Sequence, residues 1–340
     1  MADESGLSTA IVADHGARMR EGRPGVGPMW IVKRLGFGLV ILWFVATLVF
    51  IATQLLPGDA ARAVVGRGSP TELAAIRREL GLDHSLIEQY GHWLRNLVEG
   101  NLGVSLATRD PVGTIIGPAL RNSLILLGLA AGIALPLGVV LGFRAAARHN
   151  KILDHSLMGI SLVFTALPEF VVGLALVMVF STNVFALLPA VTNPTGDPLA
   201  QPAQLVLPVS TLVLASMPYI FRLARASMIE VLASDYIAMA RLKGLGERRV
   251  MWHHAARNAL VPPIQASAII LVYLLSGVVV VEYVFSYPGL GSALLTSVSA
   301  RDVPTIQAIV IVFAAGIVLF NLAADALTIL VTPRLRTAQA

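Results

Sequence analysis

Six stretches of this chain are long and apolar enough to cross a lipid bilayer, and no other feature restricts the fold as tightly. They lie at about Leu35 to Leu56, Ser123 to Phe143, Leu157 to Phe180, Leu205 to Phe221, Ile264 to Tyr283 and Ile306 to Leu330. Each is near the ~20 residues that an α-helix needs to span the hydrocarbon core. Lipid offers no partner to backbone N–H and C=O groups, so such stretches fold as helices that satisfy themselves. The expected fold is an all-α integral membrane protein with six transmembrane helices. Charged residues make up only 13% of the 340, against about 25% in an ordinary soluble domain, and mean hydropathy is +0.76.

What lies between the runs is informative. Residues 1–28 mix Gly, Pro and both charge signs without apolar periodicity and read as a disordered cytoplasmic tail. The first run is longer than a signal-peptide core and begins too deep for a typical secretory signal. Small residues at Ala61 to Ala63 leave cleavage open beside the preferred reading, an uncleaved span. From Pro57 to Arg121, acids and arginines are scattered throughout, so this insertion folds outside the hydrocarbon. Ser69-Pro70-Thr71-Glu72 has the cap, first-turn proline and glutamate of a helix start, with Gly81 available to stop it. Ser85 and Glu88 repeat the spacing, and Leu86, Tyr90, Trp93, Leu94 and Leu97 then share one face. The insertion reads either as a helical cap on the bundle or in the headgroups, or as a docking surface for an external partner. In the second run, Gly128 with Gly132 and Gly138 with Gly142 permit close helix approach.

Orientation follows from Lys and Arg, which stay in the cytoplasm. Arg18, Arg20, Arg23, Lys33 and Arg34 place the start inside, as do Arg144, Arg148 and Lys151, the segment with Arg241, Lys243, Arg248, Arg249 and Arg257, and Arg334 with Arg336. The loop from Ser181 to Gln204 has neither Lys nor Arg, and that from Ser286 to Thr305 has only Arg301. These loops are therefore external, and both termini are expected in the cytoplasm. The net charge of +5 is thus a matter of topology, with no separate basic domain for nucleic acid.

Signatures of catalysis are missing. No cysteine is present, which excludes disulfides and thiolate chemistry. None of Lys33, Lys151 or Lys243 sits in a phosphate-binding Gly-x-x-x-x-Gly-Lys loop, and there is no His-Glu-x-x-His. His253 and His254 are adjacent, so on a helix they diverge by about 100° and make no metal pair. No cofactor or metal is expected in this chain. Charges within membrane spans are costly and usually functional, and few occur. Glu169 follows Pro168 about 13 residues into the third run, roughly 20 Å along a continuous helix, near mid-membrane. Asn321 and Asp325 share a face in the sixth run, and Glu282 ends the fifth. For the pathway candidates Pro168, Glu169, Glu282, Asn321 and Asp325, satisfaction by a neighbouring helix is the preferred reading and the lining of a hydrated pathway the alternative.

The longest polar interruption within the apolar half of the chain is 235–263. Asp235 or Ser234 can cap a short helix whose last turn carries Arg241 and Lys243, with Gly244 at its C-terminus and Leu245-Gly246 turning the chain. A second helix is expected from about Glu247 to Leu260, with Val250, His253, Arg257 and Leu260 on neighbouring faces, before Pro262 and Pro263. Small Ala238 and Ala240 beside bulky Tyr236, Met239 and Leu242 look like a docking surface.

Tyr236 to Leu245, continuing through His254-Ala255-Ala256-Arg257-Asn258-Ala259-Leu260-Val261-Pro262, resembles the EAA loop of permease subunits in binding-protein-dependent ABC importers, and more narrowly the B-type subunit of the dipeptide/oligopeptide branch. The likeness spans nearly everything from Lys33 to Arg336. It takes in Leu56-Pro57-Gly58-Asp59, Leu80-Gly81-Leu82-Asp83, Leu102-Gly103-Val104-Ser105, Arg222 with Arg225, Glu282 to Gly291, and Arg301-Asp302 with Pro304. The long tail before Lys33 departs from the pattern, as does Thr332 before Pro333-Arg334.

The resemblance implies a type I importer fold divided into a tail (1–28), a first helix (29–56), an external insertion (57–114), a five-helix core (115–332) and a cytoplasmic end (333–340). It implies a non-catalytic subunit of the bacterial inner membrane paired with a second permease. Two ATPase subunits would bind ATP and Mg below, and an external binding protein would deliver di- or oligopeptides. Asp235, Tyr236, Ala238, Ala240, Arg241, Lys243, Gly244 and Gly246 would then couple to the ATPase. Nickel chelates and glutathione are alternative substrates within the branch. From other classes, an ion-coupled secondary transporter would need more intramembrane ionisable groups, and a purely structural or docking membrane protein would show no ATP-dependent uptake.

Overall fold

The computed structural model describes residues 28–55, 71, 83–182, 185–193 and 196–331. The tail, Leu56-Pro57-Gly58-Asp59, the helix start at Ser69 to Glu72 apart from Thr71, Gly81, and Thr332 onwards lie outside the described residues. Five helices are long and apolar enough to span: α1 (Pro28–Gln54), α3 (Val112–Ala147), α6 (Ala203–Leu232), α10 (Val261–Val284) and α12 (Val303–Val331). Apart from one bridge between Val104 and Pro111, the described regular structure is helical.

The third apolar run differs from the single continuous helix expected. It is two helices, α4 (Ile152–Ala166) and α5 (Glu169–Phe180), bent by 108°. Pro168 provides no N–H and pushes the residue before it out of the helical region; Leu167 is extended at φ −94°, ψ 130°. The 20 Å depth expected for Glu169 along a straight helix therefore does not apply, and Glu169 instead opens α5. Taken together the pair is long and apolar enough for one span. Its start is bound to Arg225 near the C-terminal end of α6, whereas Phe180 packs on the cluster holding Leu205, Leu207 and Phe285 at the other end. With the five long helices the pair makes up to six candidate spans among the described residues.

Helices α3 and α6 form the most extensive pairing, and glycine sets their separation. A Cβ on Gly142 would stand 2.6 Å from the Phe221 carbonyl oxygen and 2.8 Å from the Ala224 Cβ, and one on Gly138 would stand 2.8 Å from Ile220. Backbone thus meets backbone, as small residues allow in helix pairs within lipid. Gly128 and Gly132 have nothing within 4 Å and do not serve this contact, contrary to the expectation for that pair.

Between α1 and α3, α2 (Leu86–Val98) starts with the expected capping box, Ser85 N–H to Glu88 Oε2 at 3.1 Å and Glu88 N–H to Ser85 Oγ at 3.4 Å. Tyr90 and Trp93 pack against Phe50 of α1, and Tyr90 shares a 2.7 Å hydrogen bond with Thr47. The predicted face holds except for Leu86, which is exposed. Buried Asp302 accepts from Ser105 Oγ at 2.5 Å, from Leu106 N–H at 2.9 Å and from Thr305 Oγ1 at 2.6 Å. Two of the sequence motifs, Leu102–Ser105 and Arg301–Asp302, therefore meet in one contact.

Candidate functional site

Helix α7 (Asp235–Leu242) follows α6 after Ala233 and Ser234. Ser234 occupies the N-cap position, but its hydroxyl turns back to the Val231 carbonyl and does not cap α7. The other end forms as predicted. Gly244 has φ +76°, its N–H donates to Arg241 O at 2.9 Å, and Leu245 N–H reaches Ala240 O at 3.4 Å. That pair of bonds is the Schellman ending, in which a left-handed glycine satisfies the last carbonyls. Gly246, at φ −62°, is extended and carries no such constraint.

The two faces of α7 are clearly distinct. Ile237 and Ala240 are buried with Phe143, Ala146, Ala224, Met228 and Val250. Ala240, at 8% exposure, therefore packs into the bundle and is not part of an outward docking face. Asp235, Tyr236, Ala238, Met239, Arg241, Leu242 and Lys243 are exposed, as are Gly244 and Gly246, with Leu242 reaching 82%. Arg241 clamps Glu247 across the turn at 2.7 and 3.3 Å, and the Tyr236 hydroxyl accepts from Asn258 Nδ2 at 2.8 Å.

The returning helix departs from a regular one. Glu247–Arg249 (α8) and Ala256–Ala259 (α9) flank a π-helical turn at Val250–Ala255. The wider turn brings Val250, Ala255, Ala256 and Ala259 into the core, while His253 stays exposed. These helices seat α7 on the ends of α3 and α6, so the polar segment forms a braced knuckle.

The pathway candidates do not converge. Glu282 is fully buried and accepts from Ser123 Oγ at 2.5 Å and from the N–H groups of Gly291 at 2.6 Å and Ser292 at 3.4 Å. It ties α10 to α3 and to the start of α11 (Leu290–Ala300), and it lines no channel within this chain. Asp325 pairs with Arg34 of α1 at 2.9 Å, and Asn321 Nδ2 donates to Ile317 O within its own helix. Pro168 forms the bend, and Glu169 is half-buried beside Gly277 and Tyr273, with the latter of which it hydrogen-bonds. Sequence reasoning overlooked Asp154, whose bond to Arg225 joins positions that carried no common motif. Among the described residues no cluster of three His, Cys, Asp or Glu side chains is placed to hold a metal.

A bundle of long apolar helices that braces a short polar helix at one end is, in architecture, a membrane component. The chain belongs to the binding-protein-dependent transport system inner membrane component family, whose model matches residues 135–337, and the N-terminal model of such membrane components matches residues 29–117. It is 36% identical over 308 residues to a Brucella abortus protein bearing the name of a peptide transport system permease, covering 90% of this chain and 98% of that one. It is 35% identical over 309 residues to the glutathione transport system permease protein GsiC of Escherichia coli K12, with the same coverage of 90% and 98%.

Proposed function

We propose that this chain is a permease subunit of an ATP-driven importer that takes up di- or oligopeptides. It would form the translocation pathway with a second, homologous permease, receive substrate from an external binding protein, and be driven by two ATPase subunits that bind ATP and Mg. Both termini would lie in the cytoplasm. The single observation that carries the coupling role is α7 ending in the left-handed Gly244: an exposed apolar and basic face of Tyr236, Met239, Leu242 and Lys243 on a helix whose opposite face is locked into the bundle. A rigid element of this kind can transmit displacement to the spans, which a solvated loop cannot. The relatives named for peptide and glutathione transport support this substrate range, and glutathione is itself a peptide.

The test is copurification of the partner subunits followed by reconstitution in vesicles with the binding protein. ATP-dependent accumulation of a dipeptide or oligopeptide is expected. Uptake of glutathione or a nickel chelate in its place would reassign the substrate. Uptake abolished by collapsing the proton gradient with ATP retained would reject the mechanism.

A further inference from the structure

We infer that Arg225 and Asp154 form a tether through which α4, and with it the bend at Pro168, follows the motion of α7. This rests on the coupling role proposed above. Helix α4 buries only Asp154 and Ser161, while Ile152, Ile160, Leu162 and Val163 are exposed. Helix α4 lies against α6, but few of its side chains are buried there, and a polar cluster at its first turn is the specific attachment. Asp154 is 2% exposed. Arg225 donates to it from Nε at 2.5 Å and from Nη2 at 2.7 Å, and Asn150 N–H adds a third bond at 3.0 Å. His149 Nδ1 lies 3.2 Å from both the Asp154 carboxylate and Arg225 Nη2. A forked guanidinium–carboxylate pair fixes orientation as well as distance, which a single ammonium contact does not.

The tether connects two bodies. On one side, Ala224 and Met228, which flank Arg225 on α6, share a buried cluster with Ile237 and Ala240 of α7. The end of α6 and α7 therefore shift together, and Arg225 shifts with them. On the other side, α4 runs to the break at Leu167–Pro168, after which Glu169 opens α5 with its carboxylate beside Gly277 and Tyr273 of α10. Helix α4 is thus a strut from the α7 knuckle to the Glu169 carboxylate, which hydrogen-bonds Tyr273 of α10.

The test uses the complete reconstituted transporter: this chain, its partner permease, the ATPases and the binding protein. In Asp154→Asn, complex yield and basal ATP hydrolysis are expected to hold while uptake per ATP falls about tenfold. Arg225→Lys, which keeps the charge and loses the fork, should fall less, and the double swap D154R/R225D should recover part of the loss. Because this chain has no cysteine, spin labels can be placed at exposed Leu162 and Glu230 with cysteine-free partners. Their separation should stay constant between nucleotide-free and ATP-bound wild type and broaden in Asp154→Asn, or in Arg225→Lys if the asparagine variant does not assemble. Wild-type uptake per ATP, an unchanged label distribution, or a parallel loss of yield, hydrolysis and uptake in every variant would overturn the tether. If Gly244→Val uncouples and Asp154→Asn does not, the tether alone fails; if neither uncouples, the coupling role fails first.

Discussion

Replacing Gly244 by valine separates the turn's geometry from the space around it. At φ +76° an L-residue is strained by about 1–2 kcal/mol, and a β-branched one stands at the upper end. Nothing lies within 4 Å of the position a Cβ would take, so no steric clash within this chain adds to that cost. A penalty of this size changes a local equilibrium by roughly 5- to 30-fold, enough to disorder a surface turn but not to unfold the helical bundle. Gly246→Val is the matched control: its Cβ also meets open space, but φ −62° is available to any residue. Complex yield, ATP hydrolysis and vesicle uptake should be measured on both. Gly244→Val is expected to assemble yet lose most uptake per ATP, and Gly246→Val to lose less. Wild-type uptake by Gly244→Val would refute the coupling assignment; equal loss in both would mean that crowding at the interface matters and the left-handed turn does not.

Further outcomes follow from other contacts. Cysteine at exposed Ala238 should crosslink to a panel of ATPase-cleft cysteines, whereas cysteine at buried Ala240 should not, and the reverse pattern would invert the faces of α7. Gly142→Ala forces a methyl against the Phe221 carbonyl and should cost about 1–3 kcal/mol by overpacking, read as a lower thermal midpoint; an unchanged midpoint would show that α3 and α6 are not held this closely. Glu282→Ala strands Ser123 and Gly291 as donors at about 1–3 kcal/mol each, so assembled yield should fall without a change in substrate choice. The Ser85 backbone N–H holds the exposed Glu88 carboxyl below its ordinary value of 4.5. A depressed folded value stabilises above the unfolded one and is lost as pH falls through the folded one. Amide exchange in α2 should therefore rise below pH 4.5 more in wild type than in Glu88→Gln, and identical profiles would dismiss the capping box.

The features readable from sequence were those set by neighbouring residues. Apolar length marked the spans, Ser85 with Glu88 marked the start of α2, and a glycine after Arg241-Leu242-Lys243 marked the end of α7. Features set by distant contacts were not readable. Pro168 was visible, but the 108° turn depends on α4 and α5 meeting opposite ends of α6. A neighbouring helix was expected to satisfy Glu282 and Asp325, but which one was not readable: Ser123 is 159 positions away and Arg34 lies on the first helix. The inward face of α7 did carry a signal, since Ile237 and Ala240 are three apart and both apolar, but the contrast between small and bulky residues obscured it. The π turn at Val250–Ala255 had no local signature; it follows from fitting Val250 and Ala255 into the same pocket beneath α6.

Helix α1 is fastened to α12 at both ends, by Thr53 to Gln307 at 2.7 Å and by Arg34 to Asp325 at 2.9 Å, and α12 is its principal neighbour. Most of its other side chains face outward. The consequence is modularity: α1 leans mainly on one neighbour, while the gap between the two family models, from 117 to 135, falls inside α3. A polypeptide made in two pieces and rejoined inside the membrane would have its docking site already prepared along a single face of α12.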